Sequence, residues 1–170
     1  MEIKKVGVVG CGLMGHGITQ VSAEAGFDVV VADVDQEKLD KGIGKITKLL
    51  GKAVEKGKIE QADADAVLGR INATTDLDEF ADCDLVIEAV TENLDTKLEL
   101  WKKLDGIVKE DAYFATNTSS LPVINQAAAT TRPTKFLGLH FFNPVQRMPL
   151  LEVIQSVTTS PEAMGIGLAY

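Results

Sequence analysis

Residues 6–17 read VGVVGCGLMGHG, an apolar run that leads directly into a turn rich in glycine. Gly10, Gly12 and Gly15 have the spacing G-x-G-x-x-G. In such a turn the first glycine permits a tight bend, the second lets a phosphate approach the backbone, and the third lets a helix pack closely on a strand. The N–H groups and the dipole at the start of the helix, around residues 12–14, attract negative charge. The stretch predicts a strand, a phosphate-binding turn and a helix.

An acidic residue ends the next apolar run. Asp33 lies 18 residues after Gly15, where a carboxylate can accept hydrogen bonds from both ribose hydroxyls of an adenosine. A glycine-rich turn alone is compatible with no ligand, but strand, turn, helix and acid in this order predict a dinucleotide site. Asp33 and Asp35 would repel a 2′-phosphate, so we expect NAD rather than NADP.

Short apolar runs alternate with longer amphipathic ones over the whole chain, which predicts an α/β fold. Their near-continuous valine, isoleucine and leucine content is typical of strands covered on both faces. We expect a Rossmann-type, doubly wound, mostly parallel sheet with a protruding lysine-rich helical segment. The predicted strands are 3–9, 27–33, 84–90, 112–116, 135–140 and 150–154, with a weaker one at 70–73. The predicted helices are 15–25, 36–56, 62–68, 94–109 and 122–128.

The composition limits the class of protein. A chain of 170 residues with 45% hydrophobic content predicts a single domain, residues 1–170. A net charge of −8 argues against nucleic acid as a partner, and no apolar stretch is long enough to span a membrane. The two cysteines have no metal-binding spacing and the N-terminus leaves no room for a signal peptide. We therefore expect a cytoplasmic protein without a metal.

The predicted helix at 36–56 carries many of the basic residues. Its lysines recur every three or four residues, which places them on one face, beside an apolar stripe. Two interpretations remain open: a solvated face, or a surface that receives an anionic group such as the phosphates of a substrate. The lysines are Lys38, Lys41, Lys45, Lys48, Lys52 and Lys56.

The last residues resemble the start of a helix. Ser160 is a favourable N-cap and Pro161 a favourable first helical residue. The apolar pattern that follows stops at Tyr170 without a C-terminal cap. We expect a chain cut within a helix; the alternative is a short terminal helix that docks on the sheet.

A histidine lies at the end of the predicted strand 135–140, in the stretch GLHFFNPV (138–145). Ligands of open α/β sheets bind at that edge. Glu152 lies in a second apolar run, where a buried carboxylate needs a partner. A carboxylate that holds an imidazole makes it a competent general base near neutral pH. His140 alone could be a core histidine, but with Glu152 and the adjoining Asn143 it is a catalytic candidate.

Two further polar groups follow strand ends. Ser119, in ATNTSSLP (115–122), could contact a substrate hydroxyl or could cap a helix that starts near Leu121. From the residues alone, Glu92 and Lys97 indicate the solvent-exposed start of a helix with ordinary charge pairing.

Several of these stretches together resemble one family. The stretches are GCGLMGHGITQ, VIEAVTENLDTK, ATNTSSLP, GLHFFNPV and PLLEVI. They are similar to the NAD-binding domain of the 3-hydroxyacyl-CoA dehydrogenases, most of all to the short-chain bacterial members that act on 3-hydroxybutyryl-CoA. The resemblance runs from the first strand to the last residue. It implies reversible, NAD-dependent oxidation of a 3-hydroxyacyl-CoA to the 3-ketoacyl-CoA, within fatty acid and butanoate metabolism.

The resemblance also implies roles for individual residues. His140 would be the base and Glu152 its partner, while Ser119 would bind the substrate oxygen and Asn143 the nicotinamide end of the cofactor. Glu92 and Lys97 would contact that same half, contrary to the solvated interpretation, and Lys52 and Lys56 would bind coenzyme A phosphates. The implied catalytic residues are His140, Glu152, Ser119 and Asn143. The implied NAD-binding residues are Gly10, Gly12, Leu13, Met14, Gly15, Asp33, Glu92, Lys97, Ser119 and Asn143.

Members of this family continue into a helical domain that forms a homodimer and completes the substrate site. That domain is absent from residues 1–170, so we expect a fragment that holds the cofactor but closes poorly over the acyl-CoA substrate. Two rival functions stay open: a dehydrogenase of a free hydroxy acid or sugar acid, and a module that binds NAD without catalysis.

Overall fold

The computed structural model describes residues 2–170 and contains one seven-stranded sheet. The strands are β1 (Lys5–Val9), β2 (Asp28–Ala32), β3 (Ile71–Thr74), β4 (Leu85–Glu88), β5 (Tyr113–Thr116), β6 (Phe136–Phe141) and β7 (Leu151–Ile154). Their order across the sheet is β3-β2-β1-β4-β5-β6-β7. All neighbours are parallel except β6 and β7, which are antiparallel. The predicted doubly wound, mostly parallel sheet is confirmed.

Within residues 2–170, six α-helices connect or flank the strands. They are α1 (Gly15–Glu24), α2 (Gln36–Glu55), α3 (Gln61–Gly69), α4 (Leu94–Ile107), α5 (Val123–Ala127) and α6 (Pro161–Ala169). Each predicted strand and helix is present, with ends within two residues of the prediction. Two short 3₁₀ helices, Leu77–Phe80 and Pro133–Lys135, are the elements that the sequence analysis missed.

The sheet is covered on both faces, which explains its continuous apolar strands. Along β2, Val29 and Val31 face one hydrophobic cluster, whereas Val30 and Ala32 face the other. The first cluster includes residues of α1, α2 and α3, and the second is built around Trp101 of α4. The alternating side chains of the strands thus anchor helices on each face.

Helix α2 separates apolar and basic residues as the spacing predicted. Leu39, Ile46 and Leu50 are almost completely buried, while the six lysines are exposed. Asp35 is its N-cap, and the side chain accepts a hydrogen bond from the backbone N–H of Lys38 at 2.8 Å. No helix within residues 2–170 combines the length and the apolar character that crossing a membrane requires.

Helix α6 begins as predicted, with the Ser160 side chain accepting from the N–H of Ala163. It packs on the sheet because Gly167 leaves room for Leu137 and Val153. The ring of Tyr170 stacks on Phe27 with centroids 5.3 Å apart. The C-terminal helix therefore docks against β6 and β7.

The strand order reverses between β1 and β4, which lie side by side. Strand β1 is followed by β2 on one side, and β4 is followed by β5 on the other. The crevice beyond the carboxyl ends of these strands is where open α/β sheets bind ligands. The fold thereby positions the glycine turn after β1 and the polar residues after β4, β5 and β6 along one edge.

Candidate active site

A cavity of about 950 Å³ lies along this edge of the sheet. It extends from the end of β2 to the end of β6, a span that suits an extended ligand. The predicted site residues that line it are Gly10, Gly12, Leu13, Met14, Asp33, Glu92, Lys97, Ser119, His140 and Asn143. Gly15, Glu152, Lys52 and Lys56 are predicted site residues outside that lining.

Each of the three glycines in the turn is needed for a different physical reason. Gly10 has a φ of +97°, and a Cβ atom there would lie 2.6 Å from the carbonyl oxygen of Ala89. A Cβ atom on Gly15 would lie 1.7 Å from the carbonyl oxygen of Gly10. A Cβ atom on Gly12 would have no protein atom within 4 Å. The fold itself thus requires Gly10 and Gly15, whereas Gly12 borders open space, as a turn that cradles a pyrophosphate needs.

Asp33 lies directly after β2 beside this turn. Its Oδ2 atom accepts from the N–H of Cys11 at 2.8 Å, and its Oδ1 atom accepts from the N–H of Val34 at 2.7 Å. Because each carboxylate oxygen has a second lone pair, both remain able to accept from a ribose diol. The residues present fit the adenosine and pyrophosphate parts of NAD.

His140 and Glu152 are directly opposite each other in the β6–β7 ladder. The imidazole Nδ1 is 2.7 Å from Glu152 Oε2. A carboxylate can only accept a hydrogen bond, so Nδ1 carries the proton and the lone pair of the neutral ring is at Nε2. The ring of Phe142 packs against the imidazole with centroids 4.7 Å apart. The arrangement holds His140 in one tautomer in the lining of the cavity.

The expectation of a buried Glu152 is wrong, because its side chain is 51% exposed. The reason is its strand: β7 is a short edge strand whose residues are only partly covered. The carboxylate is held by its cross-strand histidine without being withdrawn from solvent.

Ser119 lies in the loop after β5, and its backbone N–H donates to Glu92 Oε1 at 3.1 Å. The alternative that Ser119 caps a helix is wrong, because α5 begins at Val123 with Pro122 as its N-cap. Thr118 has the local structural role instead, since its hydroxyl oxygen accepts from the N–H of Leu121 at 2.9 Å. The exposed Ser119 side chain is thus not committed to a helix cap.

Lys97 is buried in the first turns of α4, so the solvated interpretation of this residue is wrong. Its side chain is 1% exposed, and its Nζ atom lies 2.5 Å from Glu88 Oε1 and 3.2 Å from Glu92 Oε2. Burial tends to raise the pKa of Glu92, but the hydrogen bond from Thr118 and the charge of Lys97 outweigh it and the pKa is lowered. Glu92 is therefore an anion at neutral pH.

Glu88 and Asn117 are two of the polar residues at this edge that the sequence did not single out. Glu88 is a completely buried acid at the end of an apolar run, the same signal that identified Glu152. Asn117 lines the cavity, and its Oδ1 atom accepts from the N–H of Phe141 at 2.9 Å, next to His140. Its position directly after a predicted strand could have indicated it.

Lys52 and Lys56 are exposed at the C-terminal end of α2. The structure does not bring them into the cavity, and they stay candidates for a remote part of a substrate. Within residues 2–170 no group of three or more histidine, cysteine, aspartate or glutamate side chains has an arrangement that could hold a metal.

Comparison with known proteins gives consistent matches. The family described as "3-hydroxyacyl-CoA dehydrogenase, NAD binding domain" matches residues 5–169. A Deinococcus radiodurans protein named probable 3-hydroxybutyryl-CoA dehydrogenase is 54% identical over 162 residues, which cover 95% of this chain and 58% of the relative. The fatty acid oxidation complex subunit alpha of Psychrobacter cryohalolentis is 44% identical over 168 residues, covering 99% of this chain and 23% of the relative.

Among solved structures, (S)-3-hydroxybutyryl-CoA dehydrogenase PaaH1 from Ralstonia eutropha superimposes with a TM-score of 0.96 at 40% identity. The superposition covers 99% of this chain and 59% of that structure. The chain therefore spans somewhat more than half the length of the shorter relatives that it matches, and about a quarter of the longer one.

Proposed function

Because this chain belongs to the family of NAD-binding domains of the 3-hydroxyacyl-CoA dehydrogenases, we propose that the protein containing it oxidises a 3-hydroxyacyl-CoA reversibly to the 3-ketoacyl-CoA. The first candidate substrate is 3-hydroxybutyryl-CoA, since similar proteins carry that name. The observation that carries the proposal is the His140–Glu152 pair, whose Nδ1 and Oε2 atoms are 2.7 Å apart and whose histidine lines the cavity. A module that only binds NAD needs no such pair.

The cavity has two chemically distinct halves. Asp33 would receive the adenosine ribose, and the N–H groups after Gly12 would receive the pyrophosphate. This order directs the nicotinamide half towards β4, β5 and β6, where Glu92, Lys97, Ser119 and Asn143 line the cavity. When bound, NAD supplies the acceptor for the hydride that leaves C3 of the substrate.

The protein groups supply binding, orientation and proton transfer. His140 Nε2 takes the proton of the C3 hydroxyl, while Nδ1–H stays bonded to Glu152, which stabilises the imidazolium that forms. The Ser119 hydroxyl donates to the same substrate oxygen, and Asn143 orients the nicotinamide end. In the reverse direction the His140 imidazolium returns the proton to the ketone oxygen, so one residue is base and acid in turn.

The lysines at the end of α2 would bind the phosphates of coenzyme A. Lys52 and Lys56 are exposed, and six exposed lysines on one helix face concentrate positive charge on a chain of net charge −8. The variant Lys52→Gln/Lys56→Gln should raise the KM for acetoacetyl-CoA at least severalfold. The matched variant Lys41→Gln/Lys45→Gln removes the same charge from the first half of the helix and should change this KM less. An equal effect on a free 3-keto acid would favour a dehydrogenase of free acids.

We further propose that the intact protein is a cytoplasmic homodimer, in which a helical domain beyond this chain makes the dimer contact and completes the substrate site. The greater length of the relatives supports this proposal. Light scattering on the intact protein should give the mass of a dimer, and a monomer at micromolar concentration would overturn it.

The experiment that tests the proposed reaction is NADH consumption with acetoacetyl-CoA, followed by absorbance on the intact protein. His140→Gln should bind NADH as the wild type does and lower turnover by about 10²- to 10⁴-fold, the usual contribution of a general acid or base. Unchanged turnover would remove His140 from the mechanism. A wild-type protein that bound NADH but never oxidised it would favour the non-catalytic module.

A further inference from the structure

Five residues at and beyond the ends of β4 and β5 form a closed ring of hydrogen bonds and ion pairs, in which one link is a backbone N–H group. Glu88 Oε1 accepts from Lys97 Nζ at 2.5 Å, and Lys97 Nζ also pairs with Glu92 Oε2 at 3.2 Å. Glu92 Oε1 accepts from the Thr118 hydroxyl. The backbone N–H of Thr118 donates to Thr116 Oγ1 at 3.3 Å, and the Thr116 hydroxyl donates to Glu88 Oε2 at 2.7 Å. The ring joins the end of β4, the start of α4 and the loop after β5.

This ring carries a net negative charge. It contains two carboxylates and one ammonium group, so its formal charge is −1. Glu88 and Lys97 are 0% and 1% exposed, whereas the Glu92 side chain is 39% exposed and lines the cavity. A buried carboxylate and ammonium neutralise each other at short range. The uncompensated negative charge is therefore presented at Glu92, on the cavity wall.

The position of this charge relative to the cofactor follows from the proposed function, on which this inference rests. Asp33 and the glycine turn take the adenosine and pyrophosphate, so the ring lies along the opposite half, beside Ser119. The two redox forms of NAD differ in that half alone: the oxidised nicotinamide ring is a cation and the reduced ring is neutral. A fixed anion next to it attracts the first and has no net charge to attract in the second.

We propose that this ring is a specificity-determining element. Through the negative charge at Glu92, it makes the ratio Kd(NAD⁺)/Kd(NADH) lower than an uncharged cavity wall would. Glu88 is a positioning residue in this arrangement, because it acts through Lys97. The His140–Glu152 pair also borders this half, but it is common to all the variants below and cancels from their comparison. In a partly exposed site we expect one unit of charge to change the ratio of the two dissociation constants by about tenfold.

The test is the ratio Kd(NAD⁺)/Kd(NADH), measured for each variant by calorimetry with the two cofactor forms. Glu88→Gln and Glu92→Gln each remove one negative charge and should raise the ratio about tenfold, chiefly by weakening NAD⁺ binding. Thr116→Val removes two hydrogen bonds of the ring without changing its charge, so the ratio should stay within about twofold. A merely structural role would weaken both cofactor forms together.

An unchanged ratio in both glutamine variants would overturn the inference. If Glu88→Gln does not fold, as circular dichroism would reveal, the exposed Glu92→Gln variant decides alone. A wild-type chain that binds neither cofactor form would overturn the proposed function instead, so the two failures are distinguishable.

Discussion

The substitution Gly12→Ala distinguishes an effect on ligand binding from an effect on folding. The added methyl group would meet no protein atom within 4 Å, and Gly12 does not have a positive φ. The folded state is thus not strained, and the loss of backbone freedom in the unfolded chain should stabilise the protein by about 0.4–1 kcal/mol. The same methyl group would occupy the space where a pyrophosphate approaches the backbone.

The expected cost to binding follows from the hydrogen bonds that the phosphate loses. One bond between a backbone N–H and a charged oxygen contributes about 1.5–3 kcal/mol, which corresponds to about 10- to 100-fold in Kd. Gly12→Ala should therefore raise the Kd for NADH by at least about tenfold, while its urea midpoint stays equal to or above that of the wild type.

The assay is a titration of NADH fluorescence beside a urea denaturation of each variant. Gly44→Ala is the matched control, because it adds a methyl group to open space on α2 and should increase stability by about 0.5–1 kcal/mol with no effect on NADH. Gly15→Ala should fail to fold normally, since its Cβ atom would lie 1.7 Å from the Gly10 carbonyl oxygen. Wild-type NADH affinity in Gly12→Ala would refute the placement of the pyrophosphate.

Substitutions at three other positions test different parts of the structure. Burial tends to raise the pKa of Asp84, but hydrogen bonds from Lys109 and from backbone N–H groups outweigh burial, and the pKa is lowered. The ionised Asp84 carboxylate therefore stabilises the fold at pH values above the unfolded pKa, and this stabilisation is lost as the pH falls through the lowered folded pKa. Asp84→Asn should cost about 1–3 kcal/mol at pH 7 and weaken the dependence of Tm on pH in the acid range, as calorimetric scans from pH 7 to 2 would reveal. Asn117→Ala frees the backbone beside His140 and should lower kcat more than it raises KM in steady-state assays; an effect on KM alone would contradict this. Trp101→Ala should cost about 3–5 kcal/mol in urea denaturation, and Trp101→Phe clearly less.

Local signals were sufficient for much of the fold and for the family. The valine-rich runs predicted the strands, the glycine spacing with Asp33 predicted the NAD cofactor, and the motif set predicted the family; all three are confirmed. The antiparallel direction of β7 was not foreseen, although a signal existed. Nine residues separate Phe141 from Leu151, and a parallel connection needs a dozen or more.

Other features depend on partners that are distant in sequence. The burial of Lys97 could not be read from the start of a polar helix, because it results from Glu88 at the end of the preceding strand. The exposure of Glu152 depends on the position of β7 at the sheet edge, which its apolar neighbours in sequence concealed. Spatial pairing across the sheet, rather than local pattern, decides both.

In the proposed complex, NAD lies across the crevice with its nicotinamide ring beside the His140–Glu152 pair. The most direct measurement is a crystal structure of the chain grown with NAD. We expect the adenosine ribose within hydrogen-bond distance of Asp33, the pyrophosphate over Gly12, and the nicotinamide ring between Ser119 and His140. A cofactor bound in the opposite direction, or with its nicotinamide ring away from His140, would contradict it.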